Sequence, residues 1–262
     1  MSELERKIVV ITGATGGLGA EMVKAFLKEG SHLILTDLYQ SALETIYKEV
    51  EFIRPGKILG RIALDLTQPN SPEELAQFVR SFGSPDILVN NAGIATFGKF
   101  SDTPREKWEK IMELNLLAPM KITHKMLPLM IPRKSGHIVN ISSVAGILAS
   151  PGLVAYSTSK FGIRSFGEAL HAELRELGIK VTNLYPFFTR TAILDSEQFG
   201  VKNKKSLPDF LLSEPEEVIK ELIFGIKHDH LHVFPGIIAK SLDIFSKLTP
   251  WLFQDMAKGV MY

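Results

Sequence analysis

The chain has 262 residues, 45% of them hydrophobic and 23% charged, with 20 Gly, 14 Pro and no Cys. That length suits one α/β domain, and the apolar content, with a mean hydropathy of +0.11, excludes disordered, collagen-like and low-complexity classes. Thirty basic residues against twenty-nine acidic leave a formal charge of +1, which gives no electrostatic footprint for nucleic acid and little for an anionic membrane.

Without cysteine there are no disulfides, zinc–thiolate sites, iron–sulfur ligands or thiol nucleophiles, and a reducing compartment is the natural setting. A cytoplasmic location is therefore expected. Glu3, Glu5, Arg6 and Lys7 run straight into a strand-like segment and leave no room for a secretory hydrophobic region. No run of eighteen apolar residues exists, so no membrane span is expected.

In chain order, short β-branched runs alternate with amphipathic helical stretches. Seven strands are predicted: KIVVIT (7–12), HLILTD (32–37), KILGRIALD (57–65), DILVNN (86–91), HIVNIS (137–142), KVTNLYP (180–186) and LHVFP (231–235). Each is nearly continuously apolar, as parallel strands covered on both faces are. The expected fold is α/β, a Rossmann-type doubly wound, seven-stranded, mostly parallel sheet with helices on both faces. Ser71 with Glu74, Thr103 with Glu106 and Ser213 with Glu216 fit capping boxes, with Pro72 and Pro104 at the first helical position of two of these helices.

Nothing in the composition marks a second domain, so residues 1–262 read as a single domain. Residues 187–212 interrupt the alternation, carry the basic cluster KNKK at 202–205 and read as a mobile substrate-loop insert above the sheet. The cluster could attract an anionic substrate such as a phosphopantetheine thioester, although charge runs are usually solvated faces. Residues 237–262 form an apolar extension in which Ile238, Leu242 and Phe245 fall at helical spacing, followed by Trp251, Leu252, Phe253 and Met256. A lid, a subunit contact and a shallow membrane foot compete for it, and packing is favoured over peripheral membrane contact because few basic residues accompany it.

The first strand runs into TGATGGLG, with Gly13, Gly17 and Gly19 in a GxxxGxG spacing before a helix. Such glycines let the backbone turn sharply and approach a pyrophosphate, which the helix N-terminus attracts. Asp37 closes the second strand, where a carboxylate accepts hydrogen bonds from an adenosine ribose and repels a 2′-phosphate. Leu38, Tyr39 and the glycine loop offer no basic partner for that phosphate, so NAD(H) is preferred over NADP(H). Tyr156 and Lys160 in YSTSK share a helix face, and a neighbouring ammonium would favour the phenolate and lower the tyrosine pKa into a usable range.

TGATGGLG, Asp65 in DLT, NNAG at 90–93, Asn115, Ser143 in NISSVAG, Tyr156 and Lys160 occur in the order that resembles the short-chain dehydrogenase/reductase family, over nearly the whole chain. The resemblance implies an oxidoreductase acting on a small-molecule secondary alcohol or ketone, in which Tyr156 exchanges a proton with the substrate oxygen. Ser143, thirteen residues before Tyr156, would hydrogen-bond the same oxygen, and is preferred to Ser142, which reads as a backbone-bonded hydroxyl. Lys160 would contact the nicotinamide ribose, and Asn115 would hold a water linking Lys160 to solvent. The cofactor contacts implied are Gly13, Thr15, Gly17, Leu18, Gly19, Asp37, Asp65, Leu66, Asn91, Ala92 and Gly93. Tyr156, Lys160, Pro186, Thr189 and Thr191 complete that set, and Asn90 would brace the central strands.

Where the family usually has PG and a nearby threonine, this chain reads PFFTRT from Pro186, with Phe187 in the glycine position. Phe187, Phe188, Leu194, Phe199, Phe210 and Leu211 point to a lipophilic substrate. A 3-oxoacyl thioester reductase is the enzymatic alternative, and a protein that senses NAD without turnover the non-enzymatic one. The resemblance also implies a homodimer or homotetramer through the helices near residues 108–133 and 156–177. His228, His230 and His232 alternate as if on one strand face, but with no acidic or thiol partner no metal site is expected. His124, His137 and His171 read as surface or satisfied histidines.

Overall fold

The computed structural model describes residues 3–200 and 208–248. The strands are β1 (Ile8–Thr12), β2 (His32–Asp37), β3 (Lys57–Ala63), β4 (Ile87–Asn90), β5 (Phe97–Gly98), β6 (Gly136–Ile141), β7 (Ile179–Leu184), β8 (Gln198–Phe199) and β9 (His232–Val233). The helices are α1 (Gly17–Lys28), α2 (Gln40–Val50), α3 (Ser71–Arg80), α4 (Arg105–Met112), α5 (Ala118–Met130), α6 (Val154–Leu174), α7 (Pro215–Lys227) and α8 (Gly236–Leu248).

Seven strands form one sheet in the order β3-β2-β1-β4-β6-β7-β9, and each pairing in it is parallel. The seven expected strands are these seven. Successive side chains of a strand face opposite ways, and the two cores follow from that alternation. Val9, Ile11, Leu33, Leu35, Val89 and Val139 pack with Met22, Phe26, Leu43 and Leu222 of α1, α2 and α7. Val10, Ile34, Leu88 and Ile138 pack on the other face with Leu75, Ile122, Met126 and Leu170 of α3, α5 and α6. Fully burying such a side chain contributes about 1.5–3 kcal/mol, so both faces hold the sheet. The order reverses at β1 and β4, and in such sheets ligands bind beyond the strand C-termini at that reversal.

The helix starts fall within two residues of expectation, but the three capping boxes do not form. α3 begins at Ser71 itself, whose hydroxyl donates to the Asp65 carbonyl at 2.6 Å. Thr103 donates to the Lys99 carbonyl at 2.9 Å, and α4 starts after Pro104. Ser213 spends its backbone on a bridge with Thr189, leaving Glu214 to precede α7. In each case a loop contact outcompetes the local cap.

α8 buries Ala239 and Asp243, whereas Ile238 and Phe245 are exposed. Asp243 pairs with Lys247 at 2.7 Å and interacts electrostatically with Arg164, Tyr185 and His232. Trp251, Leu252, Phe253, Met256 and the KNKK cluster lie outside the described residues.

His228, His230 and His232 do not share a strand. His228 ends α7, Asp229 turns with φ +58°, and only His232 enters β9, where its Nδ1 lies 2.9 Å from the Tyr185 hydroxyl. His137 is buried, 2.8 Å from Thr182 Oγ1, and loss of water lowers its pKa to about 4. No helix among the described residues is long and apolar enough to cross a membrane.

Candidate active site

Gly13 turns the chain out of β1 with φ +63°, a conformation strained for any side-chain-bearing residue. A Cβ there would lie 2.8 Å from the Ala92 Cα, so the glycine loop and the NNAG run close directly on each other. Asn91 ties them further by donating to the Thr12 and Gly13 carbonyls at 3.0 and 2.8 Å. At Gly19 a Cβ would collide with the Gly13 carbonyl, which fixes the close return of the loop under α1. No side chain caps the N-terminus of α1, so its first N–H groups suit an anion.

Asp37 at the end of β2 accepts from the Thr15 backbone N–H at 2.8 Å and from its hydroxyl at 2.7 Å. The carboxylate thus braces the glycine loop as well as standing where a ribose would meet it. Asp65 is held by the Thr67 hydroxyl at 2.7 Å and the Gln68 amide at 3.2 Å, and the Thr67 bond above all keeps its carboxyl below the ordinary range. Leu66 is buried beside it.

Across the cleft, the segment after β7 reaches back to the loop. A Cβ on Gly17 would lie 2.6 Å from Thr191 Cγ2, so Thr191 sits directly over the glycines. Thr191 donates to the Thr189 carbonyl at 3.3 Å, and Thr189 to that of Phe187 at 3.0 Å. The Pro186 carbonyl accepts from the Val144 N–H at 3.0 Å, which joins this segment to the turn after Ser143. Phe187 and Phe188 pack edge to face with ring centroids 4.8 Å apart.

α6 presents Tyr156 and Lys160 one turn apart. Lys160 Nζ lies 5.5 Å from the centre of the Tyr156 ring and donates to the Ile141 carbonyl at 2.8 Å. The Tyr156 hydroxyl lies near Ser143, whose influence favours its ionised form. Ser143 opens the turn Val144–Gly146 and accepts from the Ala145 N–H at 3.1 Å. Ser142 instead donates to the Lys160 carbonyl at 2.9 Å, the backbone-bonded role expected of it.

The electrostatics depart from expectation. Burial dominates Tyr156 and pushes its pKa up to about 12, against the smaller opposing effect of Ser143. Burial also brings Lys160 down to about 8, which weakens the ammonium expected to acidify the phenol.

Asn115 lies in a π-helical turn, Glu113–Leu117, between α4 and α5. Its side chain accepts from the Ile94 N–H at 2.9 Å and donates to the Ile94 carbonyl at 2.9 Å and to Ser159 Oγ at 3.2 Å. Both amide hydrogens are used, and one oxygen lone pair is left over. A Cβ on Gly93 would lie 3.2 Å from Asn115 Oδ1 and 3.6 Å from Lys160 Nζ, so the NNAG run, Asn115 and Lys160 meet at one place.

Thr12, and Asn140 and Asn183 as partners of the bracing Asn90, escaped the sequence reading. Thr12 Oγ1 donates to the Val89 carbonyl and accepts from the Asn91 and Ala92 N–H groups. Asn90, Asn140 and Asn183 form a buried ladder across β4, β6 and β7, with amide bonds of 2.9 and 3.1 Å. The signal was present: an asparagine occurs at the matching position near the end of three successive apolar strands.

A glycine-rich loop at the β1–α1 turn, a carboxylate closing β2 and a buried Ser–Tyr–Lys cluster on a parallel sheet define a dinucleotide-dependent oxidoreductase architecture. Comparison with known proteins agrees. Residues 7–200 match the short chain dehydrogenase family, and the chain belongs to the short-chain dehydrogenase/reductase family. It is 36% identical over 237 residues to dehydrogenase/reductase SDR family member 7B of Mus musculus, covering 87% of this chain and 73% of that protein. The 3-oxoacyl-[acyl-carrier-protein] reductase FabG of Thermotoga maritima is 32% identical over 240 residues, 90% of this chain and 96% of that one. A Sphingobium yanoikuyae short-chain dehydrogenase solved with NADPH superposes with TM-score 0.81 at 26% identity, covering 95% of this chain and 96% of that one. A Burkholderia phymatum relative solved with NAD shares the fold at TM-score 0.84 and 23% identity, over 96% of each chain.

Proposed function

We propose that this protein interconverts a secondary alcohol and a ketone with NAD(H) as the preferred cofactor, Tyr156 being the proton donor and acceptor. The observation that carries this reading is the convergence of Ser143, Tyr156 and Lys160 beside the glycine loop. The residues present fit a nicotinamide dinucleotide: the uncapped α1 N-terminus suits its pyrophosphate, Asp37 its adenosine ribose, and side-chain-free Gly93 leaves room before Lys160. Once bound, the nicotinamide supplies or accepts the hydride.

The protein's own residues do the rest. In reduction the Tyr156 hydroxyl, protonated at neutral pH, gives its proton to the carbonyl oxygen while Ser143 hydrogen-bonds that oxygen. In oxidation both proton movements reverse. Lys160 holds the nicotinamide ribose, and Asn115 keeps Ile94 and the NNAG run in place while its remaining lone pair is available to a relay water. Asp37, at the end of β2 with no basic residue beside it, supports NAD(H) over NADP(H).

The aromatic pair Phe187–Phe188 and the half-buried Phe199 support a lipophilic substrate. The likeness to the Thermotoga maritima FabG favours a second reading, a 3-oxoacyl thioester reductase, served by the same residues. Exposed Leu117, Met120 and Phe161 on the α5 and α6 side support assembly as a homodimer or homotetramer.

The test is NADH or NADPH consumption with acetoacetyl thioester and with a panel of ketones, sterols and retinoids. Turnover with one class, lost by at least about a hundredfold in Tyr156→Phe, supports the reading. Tight NADH binding with no turnover and no effect of Tyr156→Phe overturns it in favour of a sensing protein.

A further inference from the structure

Outside the main sheet, β5 and β8 form a parallel ladder of two residues each, Phe97 opposite Gln198 and Gly98 opposite Phe199. β5 belongs to the loop that leaves β4, and β8 to the insert that follows β7. The Phe97 N–H donates to the Glu197 carbonyl at 3.0 Å and the Lys99 N–H to the Phe199 carbonyl at 3.1 Å. The Gly98 N–H points the other way, to the Gly152 carbonyl at 2.9 Å, in the segment that leads into α6 and Tyr156. The loops after β4, β6 and β7, which together surround the Ser143–Tyr156 pair, therefore meet at one residue.

Gly98 permits this for two reasons. Its φ of +137° is a conformation that residues with side chains rarely adopt. A Cβ at Gly98 would also overlap the Phe199 carbonyl, carbon and nitrogen, all backbone atoms that no rotamer change can move aside. The neighbouring residues repeat the design. A Cβ at Gly200, φ +66°, would overlap the Asp102 carboxylate, and Lys107 of α4 pairs with Glu197 at 2.6 Å. None of these hydrogen bonds and ion pairs runs to the glycine loop or Asp37.

We infer that Gly98 is a specificity-determining positioning residue, which straps the insert to the β4 loop and so fixes the width of the substrate cleft. This rests on the oxidoreductase reading of the site. The strap's own hydrogen bonds join the β4 loop, the Gly152 turn and the far end of the insert, none of them at the glycine loop, so it is expected to act on substrate fit with cofactor affinity unchanged. Release of the strap widens the cleft and changes which ketones fit.

Two variants test this. Gly98→Ala inserts the forbidden Cβ. Lys99→Pro is milder: Lys99 already has φ −65° and ψ 134°, values a proline adopts, and the substitution removes the N–H accepted by the Phe199 carbonyl together with an exposed side chain, whose loss Lys99→Ala controls for. The full-length protein is assayed with NADH and a ketone series of increasing bulk, for NADH affinity by fluorescence, and for chymotrypsin nicking after Phe199. The expected result for each variant is a KM ratio between the bulkiest and smallest accepted ketones altered at least about tenfold, kcat within about threefold for the smallest, unchanged NADH affinity and faster nicking. If Gly98→Ala does not fold, Lys99→Pro decides. Unchanged KM ratios and unchanged nicking overturn the inference, as does a KM change accompanied by an equal loss of NADH affinity. A wild-type protein that binds NADH but reduces no ketone overturns the reaction reading instead, and with it any role for Gly98 in choosing substrates.

Discussion

Lys160 Nζ stands 5.5 Å from the centre of the Tyr156 ring while giving a 2.8 Å hydrogen bond to the Ile141 carbonyl, so the amine is anchored to β6 and aimed at the phenol from there. The arrangement is expensive for the fold. Lys160 is 4% exposed, and burial lowers its pKa from 10.5 to about 8. Between those values the unfolded chain holds more protons than the folded one, so stability rises with pH across that window and is flat below it. At neutral pH the ammonium opposes folding by up to about 3 kcal/mol, less what the Ile141 bond returns. Lys160→Met should therefore compare most favourably with the wild type below pH about 8, the advantage shrinking towards pH about 10.5. Urea midpoints at three pH values check this; a stability difference that does not vary with pH contradicts it.

Tyr156, raised to about 12, starts out as a proton donor. Reduction is then expected to run well at neutral pH, whereas oxidation needs the phenolate and rises with pH. Removing the amine with Lys160→Met takes away a group whose protonated form favours the phenolate, so the oxidative limb should move to higher pH. An oxidative pH profile measured at saturating NAD that stays where it was would show that the amine does not help ionise Tyr156.

Asp37 has two tasks that can be separated. Its repulsion of a 2′-phosphate is electrostatic, whereas its bonds to Thr15 shape the glycine loop. Asp37→Ala removes both, and is expected to shift the NADP-to-NAD ratio of kcat/KM by at least about tenfold, roughly 1.4 kcal/mol, while raising KM for both cofactors. Asp37→Asn keeps an acceptor for Thr15 and should show the shift in ratio with less general loss. If the ratio is the same in all three proteins, Asp37 does not set the preference.

The seven strands were legible because parallel strands covered on both sides are apolar throughout, a signal that does not depend on distant contacts. Tyr156 and Lys160 were read from a shared helix face, and the resemblance of the whole motif order to the family singled them out and added Ser143. What spacing could not convey was competition. Ser71, Thr103 and Ser213 had the right residues three positions ahead of a glutamate, yet each met a loop partner that only the folded chain supplies. The pKa of Tyr156 failed for a related reason, since the sequence shows that an amine is near but not how much water both groups lose. The β5–β8 ladder is two residues long and joins segments a hundred positions apart, too short for any periodicity to reveal.

The asparagine ladder gives the sharpest test of what supports the site from beneath. Asn140 is fully buried in β6, accepts from the Asn90 amide at 2.9 Å and donates to Asn183 Oδ1 at 3.1 Å, three residues before Ser143. Asn90 also donates to Thr123 Oγ1 at 3.1 Å, which leaves it partly satisfied if Asn140 is lost, whereas the bond to Asn183 Oδ1 has no substitute in the ladder. Asn140→Ala should cost about 2–4 kcal/mol, the toll of buried polar groups left unpaired, and should lower kcat by loosening the strand end that holds Ser143. Asn140→Asp keeps the acceptor for Asn90 but faces Asn183 Oδ1 with a second oxygen, so it should be at least as destabilising at neutral pH and recover partly in acid, where a protonated carboxyl can donate. Urea denaturation of both variants across pH provides the measurement. Should Asn140→Ala lose less than about 1 kcal/mol, water would be substituting for the amide and the ladder would not be what keeps β4, β6 and β7 in register beneath the active site.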